Sequence, residues 1–167
     1  VKYFSQKGGI VQSKQNARIQ TQPFSEISPG AVTLIPGGMG TRALVNRQQF
    51  ISQIKSIAEN SKYVLRVCTG SALLAKTGLL DNRRTTTNKR AFDWVVTNAR
   101  DVLWDRGARW VAQGKYYTSA GVSAGIDMTL AFVAHTHGIE EAAKIANYIE
   151  YHWNQNSRDD KFSHPVQ

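Results

Sequence analysis

The run from Tyr63 to Ala75 constrains the fold more than any other stretch of the chain. Tyr63-Val64-Leu65-Arg66-Val67 is β-branched and aromatic, which suits a buried strand. Ala72-Leu73-Leu74-Ala75 suits a helix, with Ser71 placed to cap its start. Cys68-Thr69-Gly70 must therefore carry the backbone from strand to helix in a turn that only a small residue such as Gly70 permits. Such a turn lifts the side chain at its apex, Cys68, out of the sheet and towards solvent or a pocket. It also sets the sulfur near a helix N-terminus, whose partial positive charge favours a nucleophilic sulfur. Cys68 is the single cysteine, so no disulfide forms within the chain. A buried structural thiol is the plain alternative, and the turn chemistry favours a nucleophile or redox-active thiol over it.

The rest of the chain supplies the elements that such a unit packs against. Val1 to Phe4 reads as a strand, Gly8-Gly9 as a turn, and Ile10–Ser13 with Ala17–Thr21 as a hairpin. Val32-Thr33-Leu34-Ile35 is a short apolar strand of the kind buried on both faces of a parallel sheet. It runs into Pro36-Gly37-Gly38-Met39-Gly40, a loop whose backbone amides can approach a ligand closely. Phe50, Ile51, Ile54, Ile57 and Ala58 recur at helical spacing and predict a helix over Arg47 to Glu59. Arg83 to Thr87 is a polar extended piece, and Asn88 is placed to cap a helix carrying Phe92, Trp94 and Val95. Arg109–Ala112 and Lys115–Ser119 form an antiparallel pair across Gln113-Gly114. Helices are expected over about Ile126 to His135 and Glu140 to Trp153, followed by a loosely held polar tail, residues 154–167. Strands alternating with helices argue for an α/β sandwich around a mainly parallel sheet, a single domain over 1–153.

Composition excludes more than it assigns. The 167 residues carry a formal charge of +9, but the basic residues are scattered and no nucleic-acid motif organises them, which reads as a solvated basic surface. No apolar run reaches membrane-spanning length, and one cysteine without an export signal points to a reducing cytoplasm.

Gly121-Val122-Ser123-Ala124-Gly125 fits the serine-hydrolase elbow pattern and competes with Cys68 for the nucleophile's role. His135, His137, His152 and His164 follow it, with Asp127, Asp159 and Asp160, but no later strands are expected to carry a triad. The small-residue turn is better read as backbone that lets Ser123 approach the Cys68 pocket, with Asp127 as an acid in the first helical turn. His135-Thr136-His137 supplies two metal donors and no closed site; histidines at a helix C-terminus are the simpler reading, and no metal is expected.

Together, Ile35-Pro36-Gly37-Gly38, Val67-Cys68-Thr69-Gly70-Ser71, Gly78-Leu79-Leu80-Asp81, Arg84-Thr85-Thr86-Thr87-Asn88 and Ser119-Ala120-Gly121-Val122-Ser123-Ala124-Gly125-Ile126-Asp127 resemble the ThiJ/PfpI superfamily. Within it the Cys-Thr-Gly form and the Ala-Gly-Ile-Asp turn are most similar to the isonitrile hydratase branch, which also supplies sensor domains of AraC-type regulators. The resemblance spans about Val1 to Trp153 and implies a flavodoxin-like three-layer sandwich, a homodimer, a small-molecule substrate or ligand, and no cofactor. It implies Cys68 as nucleophile, with Gly37, Gly38, Thr69, Gly70, Asn88 and Ser123 around the substrate, the amides of Gly38 and Thr69 facing a developing oxyanion.

Two departures from the family pattern bear on function. Asn88 stands where many relatives have His, and Asn is no base near neutral pH, so Cys–His proteolysis is disfavoured. The family's first strand and helix, with an acid that hydrogen-bonds the cysteine, have no counterpart before Val1, and loss of a central strand would split the sheet. Two readings remain: a cysteine-dependent hydratase or hydrolase acting on a small electrophile such as an isonitrile, amide or aldehyde, or a non-catalytic ligand- or redox-sensing domain.

Overall fold

In the computed structural model, described for residues 1–13 and 15–163, two helical layers flank a four-stranded sheet. Lys14 and residues 164–167, including His164 of the serine reading, lie outside the described residues. The strands in chain order are β1 (Phe4–Ser5), β2 (Gly9–Gln12), β3 (Arg18–Pro23), β4 (Val32–Ile35), β5 (Tyr63–Val67), β6 (Arg84–Thr85), β7 (Leu103–Trp104), β8 (Trp110–Gln113) and β9 (Tyr116–Ser119). The helices are α1 (Gly40–Leu44), α2 (Gln48–Asn60), α3 (Gly70–Ala75), α4 (Phe92–Val96), α5 (Val122–His137) and α6 (Ile139–Tyr148).

The main sheet has the order β4-β5-β9-β8, with β4, β5 and β9 parallel and β8 antiparallel to β9. On one face α2 and α3 bury Phe50, Ile54, Ala58, Leu73 and Leu74 against Ile35, Val64 and Tyr116. On the other, Met128 and Phe132 of α5 pack on Leu65 and Tyr117. The Phe132 ring meets Tyr63 and Tyr117 edge-on at centroid distances of 5.1 and 5.2 Å, a favourable aromatic geometry. Gly125 brings α5 down onto β5: a Cβ there would stand 3.1 Å from both methyls of Val67.

The hairpin β2–β3 forms as its alternation predicts, and β1 adds to β3 in parallel, giving a second sheet in the order β1-β3-β2. A third pairing, β6 with β7, was not legible in the sequence, because two-residue strands carry no periodic signal.

Three expectations are corrected. Strand β4 is not buried on both faces: Val32 and Leu34 are 51% and 52% exposed. They share a face with their register partners Tyr63 and Leu65, but α5 covers β5, β9 and β8 and does not extend over β4 at the sheet's edge. Helix α5 begins at Val122, four residues earlier than predicted, because Gly121 in extended conformation (φ −98°, ψ −170°) ends the preceding turn. Asp127 is consequently not a first-turn acid; it lies inside the helix, fully buried. Residues 154–163 are not a loose tail either. The Asn154 amide donates to Asp127 Oδ1 (2.9 Å), the Trp153 indole donates to the Asp127 carbonyl (3.2 Å), and Ser157 O accepts from the Arg109 amide (2.8 Å).

Candidate active site

The parallel strands β4, β5 and β9 end side by side, and each releases its chain into a turn at the same edge: Pro36-Gly37-Gly38, Cys68-Thr69 and Ala120-Gly121. This is where open parallel sheets present ligand sites, because the loops leaving neighbouring strand ends converge.

Cys68 sits at the apex of the middle turn with φ +58°, in the left-handed region that L residues rarely occupy. Its backbone is pinned on three sides. Its amide donates to Ser119 O (3.2 Å), and its carbonyl accepts from Thr87 Oγ1 (2.8 Å) and from the Ser71 amide (3.3 Å). The thiol is half-buried rather than sealed in the core. Gly70 is required directly after the apex, since a Cβ there would lie 2.5 Å from Ile35 O and 2.8 Å from Pro36 O. Gly37 is pressed against the same turn, its would-be Cβ 2.8 Å from both Cys68 Cβ and the Thr69 amide nitrogen.

Thr69 ties the β4 and β5 turns together. Its hydroxyl accepts from the Gly38 amide (2.9 Å) and lies 3.1 Å from Thr41 Oγ1. The Gly38 amide is therefore already engaged, whereas the Thr69 amide finds no acceptor among the described residues. Of the two amides expected to face an oxyanion, one is free in this arrangement. The Asn88 side chain caps the turn ahead of α4, accepting from the Ala91 amide at 3.1 Å, as its place in the sequence predicts.

Ser123 occupies the second position of α5, is exposed, and has none of the positive φ that marks the apex at Cys68. Its hydroxyl lies 3.5 Å from Arg109 Nη2. Both sequence patterns lie between strand and helix, but the strained elbow geometry belongs to Cys68 alone. His135 and His137 lie at the far, C-terminal end of α5, and no group of three or more metal-donor side chains occurs among the described residues.

Sequence reading missed the charged cluster beside Ser123. Arg109 pairs with the fully buried Asp127 through Nε (2.7 Å) and Nη2 (2.6 Å). Lys89 Nζ lies 3.3 Å from Asp160 Oδ2, and Arg109 Nη1 lies 3.9 Å from Asp160 Oδ1. Burial pulls the Lys89 pKa below the ordinary lysine value although Asp160 opposes the shift. An acid inside the otherwise uncharged, mostly apolar run Ala124 to Ala131 was the available signal, since a buried carboxylate demands a partner.

The chain belongs to the DJ-1/PfpI family, whose model matches residues 1–135. Isonitrile hydratase from Pseudomonas putida is 33% identical over 131 residues, 78% of this chain and 56% of that protein. The HTH-type transcriptional regulator GbdR of Pseudomonas aeruginosa is 29% identical over 133 residues, covering 75% of this chain and 34% of the regulator. The chain thus spans 56% or less of these curated relatives. Among solved structures, a ThiJ/PfpI family protein from Pseudomonas syringae superposes with a TM-score of 0.79 at 26% identity, over 90% of this chain and 62% of that one. Drosophila melanogaster DJ-1beta shares the fold at a TM-score of 0.73 and 17% identity, over 87% of this chain and 79% of its own.

Proposed function

We propose that the protein is a cysteine-dependent hydratase or hydrolase of small electrophiles, with an isonitrile as the leading substrate class. The observation that carries this reading is Cys68 at φ +58° on the strand-to-helix turn, a conformation retained against its cost where a side chain must be presented for chemistry. Similarity to isonitrile hydratase supports the substrate class.

In this reading the Cys68 sulfur adds to the terminal carbon of the isonitrile, and that carbon takes a proton to give a thioimidate. Water then adds to the same carbon, the C–S bond breaks, the sulfur regains a proton, and an N-substituted formamide leaves. For an amide or aldehyde the free Thr69 amide is the donor to the developing oxyanion. Asn88, engaged as a cap, transfers no proton. A homodimer and a reducing compartment belong to the same proposal.

The test is turnover of a small alkyl isonitrile to its formamide, followed by mass spectrometry, with Cys68→Ala as control. Formamide production that survives Cys68→Ala sinks the assignment. A second reading, a ligand sensor without turnover, draws on the similarity to GbdR. It predicts saturable binding of a small ligand at the elbow with no product formed.

A further inference from the structure

A cavity of about 150 Å³ opens at the C-terminal end of β9, next to the elbow, lined by Lys89, Arg109, Gly121, Ser123, Asp160 and Phe162 among others. Its two cations are not equivalent in their needs. Arg109 is anchored to Asp127, at 2.6 and 2.7 Å, and that carboxylate is completed by the Asn154 amide. This pair is part of the frame, with Asp127 wholly buried and Arg109 nearly so. Asp160 is held differently. Its Oδ2 faces Lys89 at 3.3 Å, while Oδ1 accepts from the Phe162 amide at 3.1 Å and lies 3.9 Å from Arg109 Nη1, so a single carboxylate spans both cations with the second contact long.

The residues carrying Asp160 belong to no helix or strand, and Phe162 beside it is 62% exposed. Lys89 is 11% exposed in its side chain and needs an anion near it, whichever molecule supplies one. Both side chains of the Lys89–Asp160 pair are nearly closed off from solvent, 11% and 2% exposed, yet the cavity adjoins both of them.

We propose that this cavity is a binding site for a small carboxylate-bearing molecule, whose carboxylate takes the place of Asp160 between Lys89 and Arg109 and thereby releases residues 157–163. The exchange is charge-neutral: one carboxylate leaves the two cations and another arrives. Asp160 acts as a tethered competitor, present at an effective concentration on the order of millimolar, so free carboxylates bind weakly until they outcompete it. The cavity admits only a few heavy atoms beside the carboxylate. This goes beyond the hydratase reading and does not depend on Cys68 turning substrate over.

The experiment titrates the full chain with sodium acetate at constant ionic strength, following backbone amide NMR shifts of Gly121, Ser123 and residues 157–163. Acetamide, of similar shape and uncharged, is the control. Saturable shifts are expected with acetate alone, about tenfold tighter in Asp160→Asn because the tethered competitor is gone, and absent in Lys89→Gln. Lys89 also donates to Thr86 and Ala108, so its variant is interpreted beside a measurement that needs no substitution. In the unmodified protein, acetate should accelerate amide exchange in residues 157–163. Equal shifts with acetamide, acetate binding no tighter in Asp160→Asn, or unchanged exchange in residues 157–163 at saturating acetate overturns the proposal. Alkylation of Cys68 in the same samples separates the two readings: acetate binding with an inert thiol removes the hydratase proposal and leaves this one standing.

Discussion

Cys68 holds a left-handed backbone conformation that costs an L residue about 1–2 kcal/mol, a cost glycine does not bear. Cys68→Gly should therefore be more stable than Cys68→Ala by about 1 kcal/mol in urea unfolding, while both lack activity. Equal stabilities would mean that the turn is not strained at this residue. Two positions later the constraint is steric. Gly70→Ala would place a methyl 2.5 Å from the Ile35 carbonyl, and backbone cannot swing aside as a side chain can. A loss of about 1–3 kcal/mol is expected in the same unfolding measurement. Both residues were legible in the sequence because turn chemistry is local: an apolar strand, Cys-Thr-Gly and a helix leave few backbone paths. What Thr69 does was not legible, since its hydroxyl reaches Gly38, thirty-one residues away in sequence.

At the scale of single elements, buried charge dominates. Helix α5 carries Asp127 into the interior against Arg109, and Asp127→Ala should cost about 3–5 kcal/mol because it strands a guanidinium with little access to water. Arg84→Ala, which removes the partly exposed pair with Asp105, should change stability by about 1 kcal/mol or less in parallel thermal melts. A comparable loss in the two variants would contradict the burial argument.

Strand β5 contains a second such charge. Arg66 is 1% exposed, its Nε donates to Tyr117 O at 3.4 Å, and its Nη1 has no partner among the described residues. Burial, only partly opposed by Tyr116, lowers its pKa to about 9. A base whose folded value lies below its unfolded one costs stability while charged. That cost is full below pH 9 and is relieved as pH rises above it. Arg66→Met should accordingly raise the free energy of unfolding at pH 7 by about 1–3 kcal/mol in urea titration, since an apolar side chain of similar length suits the site. The alternation of strand and helix foretold β5 and α5, but periodicity records which face is apolar and not which charge is pulled under it. Arg66 was therefore invisible as a buried ion, Asp127 was signalled only by its uncharged neighbours, and the anchoring of residues 154–163 on Asp127 was not signalled at all.

Across the whole molecule the strands divide into separate sheets, with β1-β3-β2 standing apart from β4-β5-β9-β8. The smaller sheet reaches the rest through side chains such as Phe24 on Phe50 (5.9 Å) and Gln6 on Gln53 (2.7 Å), not through a shared ladder. Hydrogen exchange should consequently protect the buried strands β5 and β9 far longer than β2 and β3, which are largely exposed. Uniform protection across both sheets would show that they unfold as one unit. The parallel α/β character was readable from the order of strands and helices. The exposed face of β4 was not, because an apolar tetrapeptide looks the same whether or not a helix covers it.

The central claim is that Cys68, not Ser123, presents the reactive atom, and the most direct test labels both in one sample. Native protein at pH 7 is treated with iodoacetamide and with a fluorophosphonate, and intact mass and peptide mapping locate each adduct. The account predicts one carbamidomethyl group on Cys68, added at least as fast in the native as in the urea-unfolded chain, with Ser123 unmodified. A phosphonylated Ser123 beside a Cys68 that reacts only after unfolding would contradict it.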